Sequence, residues 1–544
     1  MKARLLLAAI FSGMLFAAIT ARLVFLQVVE HDLWLEYARA YERKIIKLSR
    51  RGTIFDRGGI PLAFDIKTIS IALDNYHMTK PEVLSSILKE KLGISNPDEL
   101  IYRESYFTWI KRKVSPKLAD EIKKATEKEE VNGLIFIEEW KRVYPYGDLA
   151  SNLIGFAGLD NQGLEGVEFY FDDTLRGEDE VSLVTFADGK LVRRRVLQKG
   201  EPGKDIFLTI DVKIQYIAEK AIDEGVRRFK AKDGFVIVMD PQTGEVLAMA
   251  QSKRYDLNQD LKPQLNLAVT YPFEPGSAFK IFAGLAALEY GAVTPNTWVS
   301  GNQPVTVGGH RFHNAMNKNW GSVNLAEIIK HSINTGMIRV AQRLGEGRLY
   351  EFLTYLGFGE ETGIELPGEV RGTLRHPRQW SKLEIGAIPI GQSVSVTGIQ
   401  LIQATAAIAN GGKLLAPTII KGKAPQVTGE IASPKNIYII KEMMRGVITE
   451  GTGRPAEIKG FGVAGKTGTA QKALPGKGYV EGKYYSLFVG FFPYKEPEYI
   501  ILVVLDEVGT EPFWGGQTAG VVFKEIAEAI ISLRKLEPVG DSSP

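Results

Sequence analysis

Hydrophobic positions are densest at the N-terminus, where Leu5 to Ala21 are interrupted only by Ser12, Gly13 and Thr20. After Arg22 a second apolar run covers Leu23 to Val29. A helix over this stretch is long enough to span a hydrocarbon core of ~30 Å. Lys2 and Arg4 ahead of it favour an N-terminus inside and the remainder outside. A cleaved signal peptide is the competing reading, but no small-x-small cleavage site follows the apolar core, which favours an uncleaved anchor. Either reading exports the rest of the chain.

Beyond the anchor, Glu30 to Leu48 mixes charge with aromatics and predicts an extended or helical stalk. Asp56-Arg-Gly-Gly59 predicts a turn between two short β runs. Residues 81–140 are charged with a helical pattern. After Gln198-Lys-Gly-Glu-Pro-Gly203 the pattern changes, and a domain boundary is placed there. A strand over Ile206 to Ile210 and a helix from Asp211 open the second part. Phe235–Asp240 and Glu245–Ala250 flank a Pro/Gly turn and read as a hairpin. Tyr485–Phe492 and Tyr499–Leu505 read as another. Apolar helices lie between, over Ala278–Tyr290 and Gln400–Asn410, so the expected fold is an antiparallel sheet covered by helices.

Composition narrows the function more than the fold. A chain of 544 residues, 44% hydrophobic and 24% charged, is globular and multidomain. Its net charge of +3, from 67 basic and 64 acidic residues, lacks the basic excess of a nucleic-acid binder. The absence of cysteine excludes disulfides, zinc thiolates and a cysteine nucleophile.

Candidate chemistry begins at Pro275-Gly-Ser277-Ala-Phe-Lys280, which opens the first of those apolar helices. Ser277 falls at the first turn, where unpaired N–H groups favour negative charge. Lys280, three residues on, shares its face. It is the only charge between Glu274 and Glu289, so its amine is expected to be desolvated, neutral and able to take a proton from a serine. Ser-x-x-Lys recurs at Ser86–Lys89 and Ser532–Lys535, which read as solvated helix faces. Two further groups accompany Ser277 alone: His331-Ser332-Ile-Asn334, and Ala464-Gly-Lys466-Thr467-Gly468-Thr469. Taken singly, Ser332 is a helix cap and Lys466-Thr-Gly a strand-end turn. In this order with Ser277 and Lys280, they are the set found in class A β-lactamases and penicillin-binding proteins. His310 and His313 lack an evident third ligand, so no metal is expected. Arg193–Arg195 reads as a solvated face.

The chain resembles the class B penicillin-binding proteins over nearly its whole length. Arg51-Gly-Thr-Ile-Phe-Asp-Arg-Gly-Gly59, Arg142-Val-Tyr-Pro-Tyr-Gly147 and Leu164-Glu-Gly-Val-Glu168 match the family's stalk and pedestal motifs. The resemblance implies a multidomain α/β protein: a tip and transmembrane anchor (1–30), a stalk and elongated α+β pedestal (31–203), a penicillin-binding/β-lactamase-like transpeptidase domain (204–535) and a polar tail (536–544). It implies a DD-transpeptidase that crosslinks peptidoglycan stem peptides, without a cofactor, and is inhibited covalently by β-lactams. Ser277 would be the nucleophile, Lys280 its base, Ser332 a proton relay and Asn334 an orienting amide. Lys466 and Thr467 would hold the donor carboxylate, Gly468 would admit the substrate backbone, and the N–H groups of Ser277 and Thr469 would form the oxyanion hole. It also implies a single-pass protein of the cytoplasmic membrane with its catalytic domain outside, partnered by a polytopic SEDS-type lipid-II polymerase. The segment Trp380…Gly391-Gln-Ser-Val-Ser-Val-Thr397 resembles division enzymes more than elongation ones. Gly398 stands where the family commonly has proline. A β-lactamase would need Glu-x-x-Leu-Asn, which Glu369-Val-Arg-Gly-Thr does not supply. A carboxypeptidase or a non-catalytic scaffold are the remaining alternatives.

Overall fold

The computed structural model describes residues 2–34, 42–105, 107–187, 190–259, 263–474 and 478–538. Part of the predicted stalk (35–41) and most of the predicted tail (539–544) lie outside the described residues. The N-terminal helix runs Lys2–Val24 and continues as a π-turn, Phe25–Val29, and together they are long and apolar enough to cross a membrane.

The chain divides into two compact units, each of which it enters more than once. The smaller holds residues 1–52, 65–142 and 176–204, the larger 53–64, 143–175 and 205–544. In the smaller unit the helical expectation over 81–140 is only half right. Helices Pro81–Leu92 and Pro116–Lys128 form, but Thr108–Val114 and Leu134–Val143 are strands. In Thr108–Val114, Thr108 and Ile110 point inward and Trp109 and Lys111 outward. Its run of basic residues, Lys111 to Lys113, mimics a helix face, while Thr108 and Ile110 keep a strand's period of two. The helices and strands enclose a core that includes Ile71, Leu88, Ile110 and Ile122. The stalk is not wholly extended or helical chain either, because Glu42–Lys47 pairs with Glu180–Ala187, which pairs with Lys190–Gln198.

In the larger unit the predicted turn forms as expected. Asp56 accepts from the Gly58 and Ile60 N–H groups at 2.7 and 2.8 Å, closing it between Ile54–Phe55 and the strand that follows. The strand expected over 206–210 covers only Ile206–Phe207: Leu208 N–H still donates to Phe55 O, but the donors beyond it pair elsewhere. Thr209 N–H goes to Ile419 O and Asp211 N–H to Leu247 O. Asp211 then caps helix α1, Val212–Arg228.

Both hairpins are present. Strands β1 (Asp233–Met239) and β2 (Val246–Gln251) form the first. Three later strands, β3 (Ala464–Leu474), β4 (Gly478–Phe492) and β5 (Tyr499–Asp506), complete an antiparallel sheet of order β2-β1-β5-β4-β3. Strands β1 and β5 are buried almost throughout, so they read as continuous apolar runs. Helices α1 and the C-terminal α7 (Ala519–Arg534) pack on each other and on the sheet. Between the hairpins lie α2 (Lys280–Glu289), α3 (Leu325–His331), α4 (Asn334–Leu344), α5 (Gly398–Ala409) and α6 (Pro434–Thr449). Every residue of α5 is buried, and Thr397 and Gln400 close a capping box at its start. Gly398 is its first residue, a position that suits proline. A Cβ there would stand 2.6 Å from the Phe235 ring, which accounts for glycine.

Candidate active site

Ser277 does not sit in an α-helical turn but in a 3₁₀ turn, Gly276–Phe279, that feeds α2. In that geometry residues three apart eclipse, so Lys280 stands directly beside Ser277. Lys280 Nζ lies 3.0 Å from Ser277 Oγ, 3.1 Å from Ser332 Oγ, 2.7 Å from Ser332 O and 2.6 Å from Asn334 Oδ1. Its side chain is fully buried among apolar neighbours. Burial, reinforced by the nearby Lys466, holds the amine well below its ordinary pKa. A neutral amine donates twice, to Asn334 and the Ser332 carbonyl, and keeps a lone pair for the Ser277 hydroxyl.

Ser332 caps the C-terminus of α3 in the left-handed region, at φ 57°. That strained conformation turns its hydroxyl between two amines. Asn334 begins α4, and its Nδ2 donates to His313 O at 2.8 Å, which fixes Oδ1 towards Lys280. His313 therefore contributes a backbone carbonyl to the site.

Lys466 arrives from strand β3, at the edge of the sheet. It is fully buried, with Nζ 3.2 Å from Ser332 Oγ and 3.0 Å from Thr467 O. Burial pushes its pKa down to about 7. Burial thus works against the charged form of this amine, which a bound anion would favour. Thr467 Oγ1 lies 2.8 Å from Thr452 Oγ1, and Thr469 Oγ1 accepts from the Gly515 N–H at 3.1 Å. Glycine is required where β3 passes the turn that carries Ser277. A Cβ on Gly468 would meet Pro275 O at 2.7 Å, and one on Gly276 would meet Thr469 O at 2.8 Å.

Hydroxyl, amines and amide from three distant segments thus meet at one cavity of about 560 Å³, with Ser277, Ser332, Asn334, Thr467 and Thr469 in its lining. The other two Ser-x-x-Lys serines, Ser86 and Ser532, are exposed on helices. Sequence reasoning missed several groups here. Trp320 stacks on His331 with centroids 4.7 Å apart, and Trp514 and Thr452 also line the cavity. Gly451-Thr452-Gly453 was the available signal for the last. The segment from Gly391, which leads into α5, also buttresses the turn that carries Ser277. Gly391 O accepts from the Gly276 N–H at 3.1 Å, and Val396 bridges Phe273. An arrangement of this kind can acylate a serine without metal ligands of its own.

Comparison with known proteins places this site in context. Residues 234–528 match the penicillin-binding protein transpeptidase domain and residues 46–208 the penicillin-binding protein dimerisation domain. The chain is 31% identical to the probable peptidoglycan D,D-transpeptidase PenA of Neisseria meningitidis, over 97% of this chain and 92% of the relative. It is 29% identical to the peptidoglycan D,D-transpeptidase FtsI of Escherichia coli K12, over 96% and 90%. Among solved structures, penicillin-binding protein 3 of Mycobacterium tuberculosis, complexed with aztreonam, is similar at 27% identity and a TM-score of 0.69, covering 92% of this chain and all of that one.

Proposed function

This chain belongs to the penicillin-binding proteins that join a dimerisation domain to a transpeptidase domain, and from that membership we propose that it is a serine-acylating peptidoglycan D,D-transpeptidase. The observation that carries the reading is a single buried amine, Lys280 Nζ, within 3.1 Å of both the Ser277 and Ser332 hydroxyls.

In this mechanism Ser277 Oγ attacks the carbonyl between the two terminal D-alanines of a stem peptide, and Lys280 takes the hydroxyl proton. The oxyanion is held by the N–H groups of Ser277 and Thr469, where loss of one donor typically costs ~3 kcal/mol. Ser332, set between Lys280 and Lys466, relays a proton to the leaving nitrogen, and D-Ala departs. An amine of a second stem peptide then attacks the ester, forming the crosslink and restoring Ser277. Asn334 holds Lys280 in register. Lys466 and Thr467 take the donor carboxylate, whose charge draws Lys466 back towards its protonated form. Gly468 lets β3 pass close beside Pro275 O and the Ser277 turn. A β-lactam acylates the same serine but retains its leaving group, so the adduct persists.

We assign residues 1–30 to the tip and anchor, 31–203 to the stalk and pedestal, 204–535 to the transpeptidase domain and 536–544 to the tail. The N-terminus lies in the cytoplasm and the catalytic domain outside, in keeping with Lys2 and Arg4 before the apolar helix. A polytopic lipid-II polymerase of the SEDS type is the proposed membrane partner. Similarity to FtsI and to penicillin-binding protein 3 is consistent with a role in division.

Intact-mass spectrometry after exposure to a penicillin tests the activity. One stable adduct on the Ser277 peptide, absent in Ser277→Ala, is expected. Rapid release of hydrolysed drug would instead indicate a lactamase, and no adduct at all a scaffold.

A further inference from the structure

A small antiparallel sheet follows the N-terminal helix, and its two faces differ in what they touch. Its strands are Glu42–Lys47, Glu180–Ala187 and Lys190–Gln198, with Glu180–Ala187 in the middle. Burial alternates along the middle strand: Ser182 and Val184 are buried, whereas Val181, Leu183 and Thr185 are half-buried. A period of two sends successive residues to opposite faces. On the covered face the cations are paired. Lys47 lies 3.4 Å from Glu138, and Arg194 pairs with Glu180. On the other face Lys44, Leu183 and Arg195 form one cross-strand row. Ile46 and Val181 share a second, and Arg193 lies opposite Thr185 in a third. Lys44, Arg193 and Arg195 are exposed and make no ion pair among the described residues, and Ile46 is 55% exposed. Register puts one acidic residue on this face, Glu42, against those three cations. Arg193–Arg195 is therefore not one solvated face: the strand turns Arg194 to a carboxylate and its two neighbours the other way.

We propose that this open face docks on anionic phospholipid headgroups of the membrane that the N-terminal helix spans, giving the chain a second point of attachment. The inference goes beyond the acyl-transfer reading and rests on the anchor alone. Reach favours it. The chain past the apolar span is helical to Trp34, and Glu42 starts the sheet eight residues on. The first strand therefore begins within ~28 Å of Trp34 whatever path the chain takes. Trp34 is 52% exposed, and a tryptophan just past an apolar span suits the headgroup level. Charge favours it too. Three unpaired cations fit a surface of phosphodiester anions, and each basic group near such a surface adds to the attraction. The apolar residues complete the match. Ile46, Val181 and Leu183 lie among the cations, so they can meet the acyl boundary while the basic tips stay with the headgroups. A protein partner is the competing occupant.

The chain has no cysteine, so Ile46→Cys takes a polarity-sensitive fluorophore at that site alone. The full-length protein is placed in lipid nanodiscs that carry a quencher on their headgroups. One set is neutral phosphatidylcholine, and the other adds about 30% phosphatidylglycerol. A probe at Ser532→Cys, exposed on α7, sets the value for a site in water. In anionic discs the Ile46→Cys probe should shift to the blue and be quenched roughly threefold more than in neutral ones, and raised salt should reverse this. Adding Lys44→Gln/Arg193→Gln/Arg195→Gln should abolish the difference. Adding Lys44→Arg/Arg193→Lys/Arg195→Lys, which keeps the charge, should preserve it, and a thermal melt matching the wild type's shows that each variant is folded. Equal quenching in neutral and anionic discs, or quenching that survives loss of the three cations in a folded variant, would overturn the proposal. So would a probe that reports water until a second membrane protein is added, which would make the face a protein-docking surface. Entry into the discs without quenching sinks this inference alone, whereas a chain that enters neither disc sinks the anchor with it.

Discussion

Two lysines on strand β3, six residues apart and both buried, have been put to opposite uses. Lys466 faces the Ser332 hydroxyl and a carbonyl, and burial pushes its pKa down to about 7. Lys472 lies 2.8 Å from both Asp506 oxygens and 2.9 Å from Glu507, and these carboxylates outweigh its burial and hold its pKa above the ordinary lysine value. Residue type and strand are shared, so the deeper burial of Lys466 and the carboxylates beside Lys472 set the two amines apart. The smaller unit follows the Lys472 pattern with arginine, pairing Arg142 with Asp65 and Arg112 with Glu139. An unpaired buried charge costs stability. In the proposed mechanism a substrate carboxylate would supply the missing partner and offset that cost.

The sharpest way to break this comparison is to remove each amine in turn. Lys466→Met should lower penicillin acylation by about 10²–10³-fold while raising stability at neutral pH by about 1–4 kcal/mol, as read by adduct formation and denaturant melts. The sign follows from the depressed pKa. Below about pH 7 both the folded and unfolded states hold the Lys466 proton and the penalty is full. It fades as pH rises towards the unfolded value of ~10.4, so the stability gap between variant and wild type should narrow over that window. A gap that widens would remove burial as the cause.

Lys472→Met should do the reverse. It leaves Asp506 and Glu507 without their shared cation, for an expected loss of about 3–5 kcal/mol, with acylation per folded molecule kept within about threefold. A smaller effect follows from the pH profile of acylation. The rate should rise as Lys280 gives up its proton and fall by about tenfold above neutrality as Lys466 loses its own. Esterifying the β-lactam carboxylate should flatten that alkaline limb, since no anion then needs the cation. Least of all, Ser86→Ala in the solvated Ser-x-x-Lys should leave labelling unchanged and stability within about 0.5 kcal/mol. Any loss of adduct there would mean that the wrong serine has been identified.

Much of this was legible in the chain. Both hairpins of the sheet, the apolar α2 and α5, and the turn at Asp56 follow from local periodicity and turn residues, which nearby side chains enforce. Order of motifs picked Ser277 out from two identical patterns. Less legible was the smaller unit, where the run of basic residues in Thr108–Val114 concealed a strand, and the stalk, where Glu42–Lys47 finds its partner some 140 residues later.

The sequence by itself determined which residue types were available: a serine with a lysine three residues on, a Ser-x-Asn, and a Lys-Thr-Gly flanked by small residues. Only the tertiary structure decided their electrostatic state. Desolvation and Coulomb attraction depend on what surrounds a group in space, and residues 280, 332 and 466 become neighbours only when the sheet and helices close. Nothing in the local sequence around Lys466 and Lys472 says that one would find two carboxylates and the other none.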